Sequence, residues 1–158
     1  MKQEPLKVWE KIVPNTWIDY NSHMTEGYYG VAFAEASDEF LIHIGFTSDY
    51  REAKGTFYTV EAQIRFLEEV KEGSLIYTKT FLIGFDSKRL HINHELFANE
   101  GSSPVATQEA MLLHVSKVDG VPSASTIENP IASNLLELSI EHSEIERPSH
   151  LGNGIRQL

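Results

Sequence analysis

Glu26-Gly27-Tyr28-Tyr29-Gly30-Val31-Ala32-Phe33-Ala34-Glu35-Ala36-Ser37-Asp38-Glu39-Phe40-Leu41-Ile42-His43-Ile44 carries bulky apolar side chains at the helical period. Tyr29, Phe33, Ala36, Phe40 and Ile44 recur every three or four residues, which places one apolar stripe along a long helix. Thr25 stands where an N-cap belongs, and Gly45 ends the pattern.

The flanking sequence reads as strand. Leu6 to Val13 alternates imperfectly and stops at Pro14. After a loop around Ser48 to Gly55, Tyr58–Phe66 alternates cleanly, and turns at 71–74, 86–88 and 99–103 separate it from Leu75–Ile83, Leu90–Phe97 and Val105–Val118, which Asp119-Gly120 closes. The expectation is an α+β fold in which a four-strand antiparallel meander curls its apolar face around the long helix, a hot-dog-like arrangement. An additional C-terminal helix is expected within Thr126 to Pro148, from Ile131, Leu135, Leu138 and Ile145, ahead of a frayed Gly152-Asn153-Gly154 tail. Residues 1–125 would form the domain, and 126–158 its C-terminal helix and tail. So small a sheet keeps an open edge, which predicts a homodimer or a dimer of dimers.

Composition narrows the function. The 158 residues suit one domain. No cysteine is present, so disulfides, thiolate nucleophiles and cysteine-bound zinc are excluded. Thirteen basic against twenty-three acidic residues give a charge of −10, which argues against a nucleic-acid partner. The charged start lacks a signal-peptide core and no apolar run approaches membrane-spanning length, so a cytoplasmic protein without a membrane partner is expected.

Chemistry concentrates in Asp19-Tyr20-Asn21-Ser22-His23-Met24-Thr25, where a loop enters the long helix. The first turn of a helix offers unsatisfied N–H groups and a positive dipole end, so backbone donors near Thr25 and Glu26 could stabilise a carbonyl oxygen that gains negative charge. Asp19 on the preceding loop could attack a thioester carbonyl or activate water against it. His23 could orient Asp19 or the leaving group, and Asn21 could hold the loop or the attacking water. Asp19 and Asn21 equally suit a simple turn. His91 and His94, three apart on a strand, point to opposite faces and cannot form a local metal pair. Neither a Gly-rich phosphate loop nor a Gly-x-Ser-x-Gly nucleophile elbow is present, and no metal or cofactor is expected.

The stretches 17–25, 59–65, Asp86-Ser87-Lys88-Arg89-Leu90-His91 and 108–115 resemble, in order, the hot-dog acyl-CoA thioesterases of the 4-hydroxybenzoyl-CoA thioesterase superfamily, and more narrowly its betainyl-CoA thioesterase branch. The resemblance implies that Asp19 is the catalytic carboxylate and that amides near Thr25 and Glu26 polarise the thioester carbonyl. Two positions depart from the pattern: Ser22 replaces the usual glycine and Thr25 a common asparagine.

A quaternary ammonium acyl group would seek aromatic faces, for which Trp17, Tyr20, Tyr28, Tyr29, Phe57 and Tyr58 are candidates. Glu61 could be a second carboxylate or the partner of the cation. Arg65, Lys88 and Arg89 are candidates for the CoA phosphates. Two rival readings stand beside hydrolysis: a hot-dog hydratase acting on enoyl or hydroxyacyl thioesters, and a non-catalytic acyl-CoA-binding dimer.

Overall fold

The computed structural model describes residues 3–158. Its elements are β1 (Leu6–Ile12), a 3-10 turn at Asn15–Trp17, α1 (Glu26–His43), α2 (Ser48–Ala53), β2 (Thr56–Phe66), β3 (Leu75–Phe85), β4 (Arg89–Ala98), β5 (Ala106–Val118), β6 (Val121–Ala124) and α3 (Ile131–His142). No helix among the described residues is long and apolar enough to cross a membrane.

The expected α+β hot-dog arrangement is present. Tyr29, Phe33, Ala36 and Phe40 are all buried on α1, and Ile44 is buried just beyond it. They face an antiparallel sheet whose β4 presents Leu90, Ile92, His94 and Leu96, all fully buried, on one face and Arg89, His91 and Glu95 on the other, where Asn93, bonded by His150, and Phe97 are buried as well. Around the N-terminal half of α1 the core is built from Trp9, Val13, Trp17, Met24, Val70 and Val105; around its C-terminal half it includes Tyr50, Leu82, Leu112 and the α3 residues Ile131, Leu135 and Leu138.

The sheet is not the expected meander. Its order is β1-β3-β4-β5-β2, with β6 added to β5. β1 occupies the edge of β3 that a meander would give to β2, and β2 instead pairs with β5 along its whole length. The connection from β2 to β3 is too long for a tight hairpin. It is pinned at the opposite side, where the amides of Leu67 and Glu68 both donate to Val105 O, and Met24 N–H donates to Val70 O at 2.7 Å.

Four local expectations also change. Thr47, whose side chain accepts Tyr50 N–H at 3.1 Å, starts the short helix α2 inside the expected loop. Asp119 and Gly120, both at positive φ, form the two-residue hairpin that adds β6. α3 begins where Asn129 accepts from the backbone and hydroxyl of Ser133 and stops at His142, so Ile145 lies outside the helix. The tail is not frayed. Gly152 N–H donates to both carboxylate oxygens of Glu109, Arg65 donates to Asn153 O at 2.7 Å, and His150 Nε2 lies 2.8 Å from Asn93 Oδ1, so residues 150–153 lie on the outer face of the sheet.

Candidate active site

Asp19 is held in a closed turn immediately before α1. A bridge between Ile18 and Met24 ties the two ends of the loop, Asp19 N–H donates to His23 O and Ser22 N–H to Asp19 O, both at 3.0 Å. The carboxylate itself accepts Asn21 N–H at 2.8 Å through Oδ1, an Asx turn of the kind the residue types predict. Asp19 Oδ2 has no partner among the described residues, and the side chain is half-buried. Ser22 adopts φ +64°, the left-handed conformation that glycine adopts without steric cost.

The start of α1 supplies donors, though not all those expected. Thr25 occupies the N-cap position in extended conformation, but its side chain makes no capping bond. Its amide donates to Trp17 O at 2.9 Å and is therefore committed to the loop. Among the described residues, the amides of Glu26 and Gly27 donate to no carbonyl or side chain, so the oxyanion donors that remain are those two.

Beside this helix end lies a cleft of about 450 Å³ bordered by His23, Glu26, Tyr29, Phe66, Leu67 and the pair Glu68-Glu69. Asp19 does not line it within the single chain. His23 Nε2 lies 3.3 Å from Glu69 Oε2, so the imidazole is oriented by Glu69 rather than by Asp19. Tyr29 donates its hydroxyl to Glu68 O at 3.1 Å and packs edge-on against Phe66; burial, reinforced by the negative charge of Glu69, raises its pKa and keeps it a neutral donor. Three carboxylates, Glu26, Glu68 and Glu69, make the cleft electronegative. The acidic dipeptide one residue beyond the end of β2 is the legible signal for this wall.

The aromatic candidates do not converge on one cage. Trp17 is buried and stacked on Tyr28 (5.0 Å between centroids, 12° between planes), with Lys11 Nζ 5.2 Å from its centroid, so its faces already hold an internal partner and an internal cation. Tyr20 is 95% exposed at the tip of the turn. Phe57 packs against Phe46 and His114 beside the C-terminal end of α1, which at eighteen residues is about 27 Å long. Tyr29 is the aromatic candidate that borders the cleft.

A bulge at Val60 explains two further displacements. It shifts the pairing between Thr59 and Glu61, so Tyr58 and Glu61 share the outer face instead of alternating with it. Glu61 borders a smaller cleft of about 240 Å³ with His91 and Glu109, which are paired at 2.8 Å, on the side of the sheet away from α1.

The cations expected to hold CoA are engaged and scattered. Arg89 forms a fork with Asp86 (2.8 and 2.6 Å), which holds the Asp86 carboxyl down to about 2. Arg65 donates to the tail carbonyls of Asn153 and His150. Arg65 opposes Thr107 and Arg89 opposes Leu113, six residues along β5 and so about 20 Å apart. Lys88 sits on the turn beside Arg89, and its carbonyl accepts His114 N–H.

Two buried polar networks escaped the sequence reading. His94, expected to face away from His91, lies fully buried between Ser37 Oγ on α1 (2.9 Å) and Thr80 Oγ1 on β3 (2.8 Å). His114 is bonded by Tyr50 Oη and Ser125 Oγ, each at 2.9 Å, while Tyr50 Oη accepts Glu128 N–H. Both join separate layers, and nothing in local periodicity marks such pairings.

Comparisons with known proteins agree with this architecture. The family model described as the thioesterase-like superfamily matches residues 13–135. The betainyl-CoA thioesterase of Pseudomonas aeruginosa is 37% identical over 95% of this chain and 94% of its own length. The L-carnitine dehydrogenase/betainyl-CoA thioesterase of Agrobacterium fabrum is 42% identical over 96% of this chain, which spans only 31% of that longer protein. Among solved structures, a candidate thioesterase from Pseudomonas putida KT2440 superposes with TM-score 0.86 at 29% identity, covering 99% of each chain. A Staphylococcus aureus protein solved in complex with CoA superposes at 0.87 and 21% identity over 100% of this chain and 99% of its own, a likeness of fold.

Proposed function

Because the chain belongs to the thioesterase-like superfamily, its reaction is hydrolysis of a thioester, and we propose that the substrate is a CoA ester of a small cationic acid, betainyl-CoA, released as betaine and free CoA. The observation that carries the acyl preference is the charge of the cleft at the start of α1. Glu26, Glu68 and Glu69 surround it, and Tyr29 and Phe66 supply aromatic surface. A trimethylammonium group gains from both, whereas an anionic acyl group would be repelled. The similarity to betainyl-CoA thioesterases supports the same choice.

In this reading the thioester carbonyl oxygen is received by the amides of Glu26 and Gly27, whose helix dipole favours the negative charge that develops there. Asp19 uses its free oxygen as nucleophile or as the base that activates water; the backbone N–H of Asn21 holds the other oxygen in place. Water supplies the hydroxyl of the product acid, the C–S bond breaks, and the CoA sulfur leaves with the remaining proton. His23, oriented by Glu69, stands at the same cleft as a positioning residue.

The enzyme acts as a cytoplasmic homodimer formed through β2. This eleven-residue strand is the sheet's edge beyond β5 and exposes Tyr58, Val60 and Phe66. An open edge with apolar side chains favours pairing with a second copy. The test of substrate choice compares betainyl-CoA with 3,3-dimethylbutanoyl-CoA, its uncharged isostere. A kcat/KM at least about tenfold higher for the cation, equivalent to about 1.4 kcal/mol, is expected. Equal values would remove the cation-binding assignment.

A further inference from the structure

The acidic cleft that suits a cationic acyl group is the wrong place for the phosphates of a CoA thioester, and the sequence-expected arginines are already neutralised or bonded internally. A second cleft of about 450 Å³, where α2 meets the end of β5, has the opposite character. Arg51, Lys54 and Lys117 line it, with Glu52 as the one acid in its wall. Among the described residues Arg51 and Lys117 have no acidic partner within ion-pair distance, while Lys54 shares Glu128 at 3.3 Å. On a chain of charge −10, two cations without an acidic partner in one cleft, with Lys54 beside them, make a local positive patch.

The cleft is also built, not merely charged. Gly55 brings the exit of α2 so close to β5 that a Cβ there would lie 2.5 Å from Val115 O, which fixes Arg51 and Lys54 above the strand that carries Lys117. Tyr58, 43% exposed, is turned into the same cleft by the Val60 bulge and offers a ring face to a planar base. One guanidinium fork and two ammonium groups for phosphate, beside an aromatic face, suit the chemistry of a phosphorylated nucleotide.

We propose that the Arg51–Lys54–Lys117 cleft, with Tyr58 at its wall, binds the phosphorylated adenosine end of the CoA thioester. The assignment rests on the reading of a CoA ester as substrate. If β2 pairs antiparallel with its copy, the Tyr58 end of one β2 lies beside the Phe66 end of the other. One protomer's cationic cleft and its partner's acidic cleft then lie at the same end of the paired strands, Tyr58 on the outer face and Phe66 on the face towards α1, and a single CoA ester reaches both around that end.

The test is calorimetric titration of adenosine 3′,5′-bisphosphate, with inorganic phosphate as comparison, into the full chain and into the Arg51→Ala/Lys117→Ala variant. These exposed positions leave the fold intact, which circular dichroism checks, and Arg51→Lys in the otherwise unchanged chain should retain most of the binding. The expected result is bisphosphate binding weakened at least tenfold in the double variant and weakened by added salt. In parallel, KM for the acyl-CoA should rise at least tenfold with kcat unchanged, while hydrolysis of the same acyl group on phosphate-free pantetheine is unaffected. Equal bisphosphate affinity in the two proteins, no binding to either, or phosphate binding as tightly as the nucleotide would overturn the assignment. Because calorimetry needs no turnover, charge-dependent nucleotide binding without any thioester hydrolysis would overturn the proposed activity and leave this site standing.

Discussion

His142 Nδ1, on α3, accepts the backbone N–H of Leu82 on β3 at 2.9 Å. β1 reaches only as far as Thr80, and the β3–β4 register slips between Leu82 and Gly84, so the Leu82 amide lies beyond the strand that would otherwise take it. Arg147 donates to Ile83 O at 2.9 Å at the same irregularity. The C-terminal segment thus completes the hydrogen bonding of β3.

Replacing His142 by Ala would leave that buried amide without an acceptor. A loss of about 1–3 kcal/mol is expected, read by urea denaturation, with thioesterase activity retained at low temperature. An unchanged midpoint would mean that water replaces the imidazole without cost.

Acid should destabilise the fold through histidines that fold uncharged. Burial pushes the His94 imidazole down to about 3 and lowers that of His142 as well, against about 6.5 in an unfolded chain. Below about pH 6.5 the unfolded chain takes up protons that the folded chain refuses. The stabilisation is therefore complete above that pH and lost as pH falls towards 3, at up to about 1.4 kcal/mol per pH unit for His94 alone. His94→Gln keeps a donor and an acceptor for Ser37 and Thr80 but cannot titrate, so its stability between pH 7 and 5 should fall less steeply. Parallel curves would refute this.

Gly55→Ala is expected to cost at least about 2 kcal/mol. Its φ of +137° is hostile to a side chain, and the added carbon would meet Val115 O at 2.5 Å and His114 Cε1 at 3.0 Å. Thermal denaturation measures the loss, and a Tm within error of the parent would show that α2 simply moves away.

Asp19→Asn separates chemistry from architecture. The amide oxygen can still accept Asn21 N–H and hold the turn, so stability should change by less than about 1 kcal/mol. Loss of the carboxylate should lower kcat at least about 10²-fold. Full activity in the folded variant would remove Asp19 from the reaction.

What could be read from the sequence was whatever repeats locally. The stripe from Tyr29 to Ile44 identifies α1 and its buried face, and Asp19 with Asn21 announces a turn at the helix entrance. Alternation reports which face a strand residue occupies but not which strand lies beside it, so β2 was assigned to β3 rather than β5. A single extra residue at Val60 leaves the pattern intact in the sequence while reversing Tyr58 relative to Phe66. Lys11 over Trp17 and the tail carbonyls on Arg65 are contacts between distant or differently placed segments with no local mark, and they occupy groups that the residue types alone offer to a ligand. The Arg89–Asp86 fork spans only three positions and was legible in principle.

Leu67 is a shared wall: it borders the acidic cleft and also a second hollow that Ile155, Arg156 and Gln157 line from its exposed side. Material appended after Leu158 would therefore emerge near the acidic cleft, the corner proposed for the acyl group. An affinity handle or fluorophore joined there would compete with the ester for room, so labels for kinetic work belong at another site, such as the exposed turn at Glu100 and Gly101 between β4 and β5.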